Sequence, residues 1–180
     1  MAIRLIGANP GLTLFEGRGE TPSAYASVWR VDWSERGAGN AIVVWYDGRV
    51  RVVTSEPDLG SWLADTFNRH FPEVRALDWP VPEIVTDSVE YRSDLSTGIE
   101  AGGGGVSVRI SDPVDRRFIR VAEFALGPEV AALSTVIFPC RDGAIEVDGR
   151  ALPGRPRFTD GTPPSSSAFL ADAEVWSTLD

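Results

Sequence analysis

Ala41-Ile42-Val43-Val44-Trp45-Tyr46-Asp47-Gly48-Arg49-Val50-Arg51-Val52-Val53-Thr54 is the stretch that decides the fold. Two runs rich in β-branched and aromatic residues flank an Asp-Gly pair. A two-residue type I′ loop needs positive φ at both central positions, and Asp-Gly adopts that conformation at low cost. The stretch therefore predicts an antiparallel hairpin. Its first arm is apolar on both faces, Ala41, Val43 and Trp45 on one and Ile42, Val44 and Tyr46 on the other, which predicts a central strand. In the second arm Arg49 and Arg51 face away from Val50 and Val52, so one side there meets water.

Upstream, residues 24–33 alternate as a strand. Tyr25, Ser27, Trp29, Val31 and Trp33 share one face; Ala24, Ala26, Val28, Arg30 and Asp32 share the other. Residues 3–6 and 12–15 read as short strands around Asn9-Pro10-Gly11. Downstream, the spacing predicts a helix over 56–70. Ser55 caps it, Pro57 suits its first turn, and Leu59, Trp62, Leu63, Phe67 and Phe71 gather on one side. Pro72 ends it. The helix should lie over the sheet or close one end of it. Residues 72–82, a proline-rich connection with Trp79 beside Pro80 and Pro82, are where a seam would fall if the chain had two lobes.

The second half reads as β. Residues 84–92 form a strand and 95–105 a loop ending in four glycines. Strands follow at 106–111, 117–126 and 133–139, with a helical turn at 128–132. Asp142-Gly143 and Asp148-Gly149 repeat the hairpin signal of Asp47-Gly48. Residues 151–167 are a Pro-, Gly- and Ser-rich loop, and 169–176 a last strand or a helix. The sum is one domain over 1–180, mainly β with a small helical share (α+β). It is an antiparallel β-barrel or a two-sheet sandwich of about ten strands with one main helix packed on or capping it.

The 180 residues carry 26 acidic and 17 basic side chains, a net charge of −9, and every basic residue is Arg. The missing lysine excludes a Schiff-base or phosphate-loop mechanism. The charge argues against nucleic acid and anionic membrane as partners. No run approaches the roughly 20 apolar residues a spanning helix needs. A lone Cys140 permits no internal disulfide, and with no apolar leader at the start the expectation is a cytoplasmic protein.

No catalytic signature stands out, and no cofactor is indicated. His70 is the only histidine, which excludes a multi-His metal site; it falls at the helix end as a general base or as a partner of free carbonyls. Glu123 shares a strand face with Ile119 and Val121, and Arg120 shares the other with Phe118 and Phe124; a charge among apolar neighbours needs a partner, water or a shifted pKa. Arg109 and Arg30 raise the same question. Residues 102–105 lack the strand-to-helix context and lysine of a phosphate loop and read as a hairpin connection or lid. Arg116, Arg117 and Arg120 form a small basic cluster, Cys140 reads as structural, and serines 165–167 lack a nucleophile elbow. The aromatic set Tyr25, Trp29, Trp33 and Trp45 is core packing, or some of its rings line a cavity for a flat apolar ligand.

Three functions follow as expectations. The first is binding of a small, partly apolar molecule in an internal barrel cavity, with Trp29, Trp45, Phe124, Arg109 and Arg120 as ligand contacts. The second is an enzyme with His70 or Glu123 as acid or base. The third is a homodimeric interaction protein whose two-sided strands are buried between copies.

Overall fold

The computed structural model describes residues 1–179. The decisive hairpin forms as its sequence predicts. β4 (Gly39–Tyr46) and β5 (Arg49–Thr54) pair antiparallel through Tyr46 and Arg49, with Asp47 at φ 49° and Gly48 at φ 69°. β3 (Ala24–Ser34) flanks β4 on its other side. β4 is thus central and buried on both faces.

The remaining strands are β1 (Ile3–Ala8), β2 (Gly11–Leu14), β6 (Glu83–Thr86), β7 (Glu90–Asp94), β8 (Gly98–Gly103), β9 (Val106–Pro113) and β10 (Arg117–Leu126). Then come β11 (Glu129–Val147), the short β12 (Arg150–Ala151), β13 (Phe158–Thr159) and β14 (Ser165–Ser166), and β15 (Ala168–Thr178). The main ladder runs β6-β5-β4-β3-β1-β15-β11-β9-β8-β7, with β10 on the edge of β11. β11 is the bridge: residues 129–139 pair with β10 and β15, and residues 140–147 pair with β9. One strand thereby passes from a first sheet into a second. The result is sandwich-like and not a clean barrel.

Two cores result, one on each face of the first sheet. Between the sheets lie Ala26, Val28, Ile42 and Val44 against Ile99, Val108, Ile110 and Ile145. On the outer face lie Tyr25, Trp29, Val43 and Val52 against Leu59, Leu63, Phe67 and Phe71. The two-sided apolar strands are therefore covered within one chain.

The helix α1 (Pro57–Thr66) covers this outer face as expected, packing on β4, β5 and β6. Gly60 permits the close approach: a Cβ there would stand 2.6 Å from Thr54 Cγ2 and 2.9 Å from Val52 Cγ1. The helix is shorter than predicted, giving way to a 3-10 turn at Asn68–His70. Ser55 is not its cap. Glu56 holds that position without a side-chain bond, and Thr54 Oγ1 accepts from Glu56 N at 3.0 Å. Residues 72–82 cross the same core, with Val74 buried and Leu77 and Trp79 packed against it.

Several expectations are corrected. The sheet is not wholly antiparallel: β5 and β6 run parallel, because the helix between them returns the chain to its starting end. Residues 95–105 contain the strand β8, hidden by its glycines, between a turn at residues 95–97 and one at Gly104 and Gly105, which stand at φ 53° and 77°. Residues 128–132 form no helical turn, since Leu126 pairs directly with Glu129. Asp142-Gly143 is no hairpin but the middle of β11. Gly143 serves close packing there, where a Cβ would meet Leu12 Cδ1 at 2.7 Å and Arg109 O at 3.2 Å. Asp148-Gly149 does turn, at φ 51° and 78°. Trp33 leaves the face of Trp29 because Asp32 is an extra residue against β1. Residues 169–176 are strand, not helix.

Candidate functional site

A helix about 10 Å wide covers about two strands spaced 4.8 Å apart. α1 therefore leaves the far end of the outer face, formed by β10, β11 and β15, without a lid. The chain just after the helix, residues 71–73, closes only one side. Between them lies a pocket of ≈ 350 Å³. Ile119, Val121, Phe124, Leu133, Ile137 and Phe169 line it half-exposed, so it is apolar and open to solvent. Gly11 makes room for one wall: a Cβ there would touch the Phe169 ring at 2.7 Å.

Two bulges shape this wall. In β15, Phe169 and Ala171 face the pocket, and plain alternation would send Glu174 to the other side. Ala173, at φ 51°, inserts an extra residue and brings Glu174 and Trp176 round to the pocket. Positive φ is uncommon for a residue with a Cβ, so the bulge is locally strained. In β10, Ile119 and Val121 face the pocket; residues 122 and 123 form the second bulge, and Phe124 then joins that face. Bulges that re-aim side chains concentrate beside functional sites.

Glu174 is 4% exposed. It accepts from Trp176 Nε1 at 2.6 Å and is within hydrogen-bond reach of Thr135. Burial raises its pKa to about 7, against the opposing pull of those two bonds. Thr135 Oγ1 donates to Asp172 O at 3.3 Å.

Further polar groups converge on the floor. Trp29 Nε1 donates to Asn68 Oδ1 at 2.9 Å, and Asn68 Nδ2 donates to Tyr25 Oη at 3.1 Å. Asn9 Nδ2 donates to Ser27 Oγ at 2.6 Å. Tyr25 and Asn9 both line the pocket. Burial, with Glu73 nearby, keeps the Tyr25 phenol protonated well above its ordinary range. Glu73 stands at the mouth; solvent reaches the residue, yet protein crowds its carboxyl enough to raise its pKa. Phe71, Phe124 and Trp176 contact one another with centroids 5.0–6.0 Å apart, Phe71 stacked on Trp176 at 14°.

Of the ligand contacts expected from the sequence, only Phe124 lines this pocket; Tyr25 of the aromatic set and Ser166 of the serine run line it too. Trp29 is wholly buried behind it, reached through Asn68. Trp45 sits farther along the outer core, donating to Asp78 O at 2.9 Å. Arg109 is exposed on β9, 3.4 Å from Asp142. Arg120 is exposed on the opposite face of β10. Arg30 pairs with Asp32 at 3.1 Å and Asp172 at 3.4 Å. Arg117 pairs with Asp115. His70 is packed on Gly127 away from the pocket; burial and Arg69 lower its pKa, and the Asp65 backbone is its hydrogen-bond partner. Glu123 is pushed into solvent by the bulge. Cys140 is fully buried, its Sγ donating to Phe138 O at 3.2 Å, and burial pushes the thiol up to about 11.

A larger depression of ≈ 690 Å³ on the outside of the second sheet holds Arg109 among Glu90, Arg92, Glu100 and Glu146. These charges are all exposed, and no buried polar group faces them. Among the described residues no group of His, Cys, Asp and Glu could hold a metal ion, and no helix is long and apolar enough to cross a membrane.

The fold and site together define a mainly β, sandwich-like protein with a lateral pocket beside its helix. The chain matches no protein-family model, and no curated protein or solved structure matches it.

Proposed function

We propose that this pocket binds a small, partly apolar molecule, with Glu174 engaging its polar group. The observation that carries the reading is a buried carboxyl held in the wall of an open apolar cavity by a strained bulge. Pockets of this volume, mostly apolar with a few convergent polar groups, suit small ligands. The cavity lies beside the sandwich and not inside a barrel. Of the contacts expected from sequence, Phe124 stays in the proposal, while Tyr25, Phe71, Glu174 and Trp176 enter it.

Trp176 reports on the site because its ring is in the wall. A panel of small metabolites and cofactors, read by Trp fluorescence and thermal shift, tests the reading. A true ligand quenches emission and raises the melting temperature, since binding to the native state stabilises it. Leu133→Trp, which fills the pocket, should abolish both effects. A panel without a single hit, or hits that survive Leu133→Trp, would reject the pocket as the site.

One observation favours a second reading. A carboxyl with a pKa near 7 is poised for proton transfer at neutral pH. If the protein is an enzyme, Glu174, with Tyr25 on the same pocket, is the acid/base candidate in place of His70 and Glu123. Conversion of a bound panel compound, lost in Glu174→Gln, would distinguish catalysis from binding alone.

A further inference from the structure

The pocket wall carries carboxyl groups and no cationic side chain. Its ionisable members are Glu174 on β15, Glu73 after the helix and Tyr25 on β3. β10 and β11 present only Ile119, Val121, Phe124, Leu133, Thr135 and Ile137. The hydrogen-bonding groups acting on Glu174 are neutral, Trp176 and Thr135, with no arginine among them. A carboxylate in such surroundings is costly to ionise unless opposite charge arrives. Among the described residues the pocket wall supplies none, so a bound cation would complete the site. The rings of Tyr25, Phe71, Phe124, Phe169 and Trp176 also stand in the wall, and ring faces attract ammonium groups. An anionic ligand would meet Glu73 at the mouth and Glu174 inside.

We infer that the pocket takes an organic cation, an amine or ammonium on an apolar body, with Glu174 as its buried counter-ion and Glu73 favouring its entry. The inference rests on the pocket being a binding site. It has a linkage consequence. The cation prefers ionised Glu174, so binding expels the proton that burial retains. Affinity should rise with pH until Glu174 is ionised in the free protein. Glu73, raised in the same direction, adds with the same sign; Tyr25 stays neutral throughout.

Calorimetric titration with 2-phenylethylamine, 2-phenylethanol and phenylacetate at pH 6 and pH 8 tests this. The amine should bind tightest, and its affinity should rise on the order of tenfold between the two pH values. Glu174→Gln should weaken the amine on the order of tenfold and flatten the pH dependence. Glu73→Gln, at the solvent-facing mouth, should weaken it about two- to threefold, in a salt-dependent way. Should Glu174→Gln fail to fold, Glu73→Gln and the pH series of the native chain decide. If the alcohol or phenylacetate binds as tightly as the amine, or tighter at pH 6 than at pH 8, the cation is rejected while the pocket remains a site. If none of the three binds and the metabolite panel is also silent, both readings fall.

Discussion

At the scale of single residues, Glu174 is where structure and titration meet. Its folded pKa of about 7 lies above the ordinary value of 4.5, so the fold prefers its protonated form. The stability it contributes is full below about pH 4.5 and is lost as pH rises through about 7. Glu174→Gln is neutral throughout and escapes that loss. Chemical denaturation should find the variant close to the native chain near pH 4, and more stable at pH 8 by up to about 3 kcal/mol. A variant that is less stable at pH 8 would mean that the carboxylate is stabilised in place. Asn68 is the second such residue, since it satisfies Trp29 with its oxygen and Tyr25 with its nitrogen, all buried. Asn68→Ala should cost about 1–3 kcal/mol by stranding the Trp29 N–H, seen as a lower denaturation midpoint.

At the scale of elements, glycine has two meanings here that local sequence does not separate. Gly48 and Gly149 follow Asp in true turns, whereas Gly143 follows Asp inside a strand because Leu12 packs where its side chain would be. Gly60 belongs with the second kind. On an exposed helix, Gly→Ala gains about 1 kcal/mol from backbone entropy. At Gly60 the added methyl meets Thr54 and Val52, so Gly60→Ala should lower the melting temperature instead. A rise would show that the helix moves off the sheet at little cost. The bulges at Ala173 and at residues 122–123 act at this scale too. Each converts a strand whose alternation puts a key side chain on the wrong face into a wall of the pocket.

At the scale of the whole molecule, the hairpin built on Asp47-Gly48 lies between two cores, and the pocket lies where the helix stops covering the sheet. Stability should be distributed accordingly. Amide exchange should be slowest in β3 and β4, buried on both faces, and fastest in residues 151–167, which pair through two-residue strands and a single bridge at Arg155. Equal protection in the two would contradict this layering. By itself the sequence determined the β class, the central hairpin, the place of the helix and its apolar side, because turn chemistry and side-chain periodicity act within a few residues. It also singled out Phe124, which lines the pocket, though on the face opposite to Ile119. Only the tertiary structure decided between sandwich and barrel, turned β6 parallel, and carried β11 across both sheets, since these depend on pairing between distant residues. The site belongs to that second group. Glu174, Tyr25 and Phe71 come from three separate elements, and a single bulged residue reverses every alternation after it. Burial among Trp176 on its own strand and the remote Phe71 and Thr135 then makes an ordinary glutamate the poised group of the pocket.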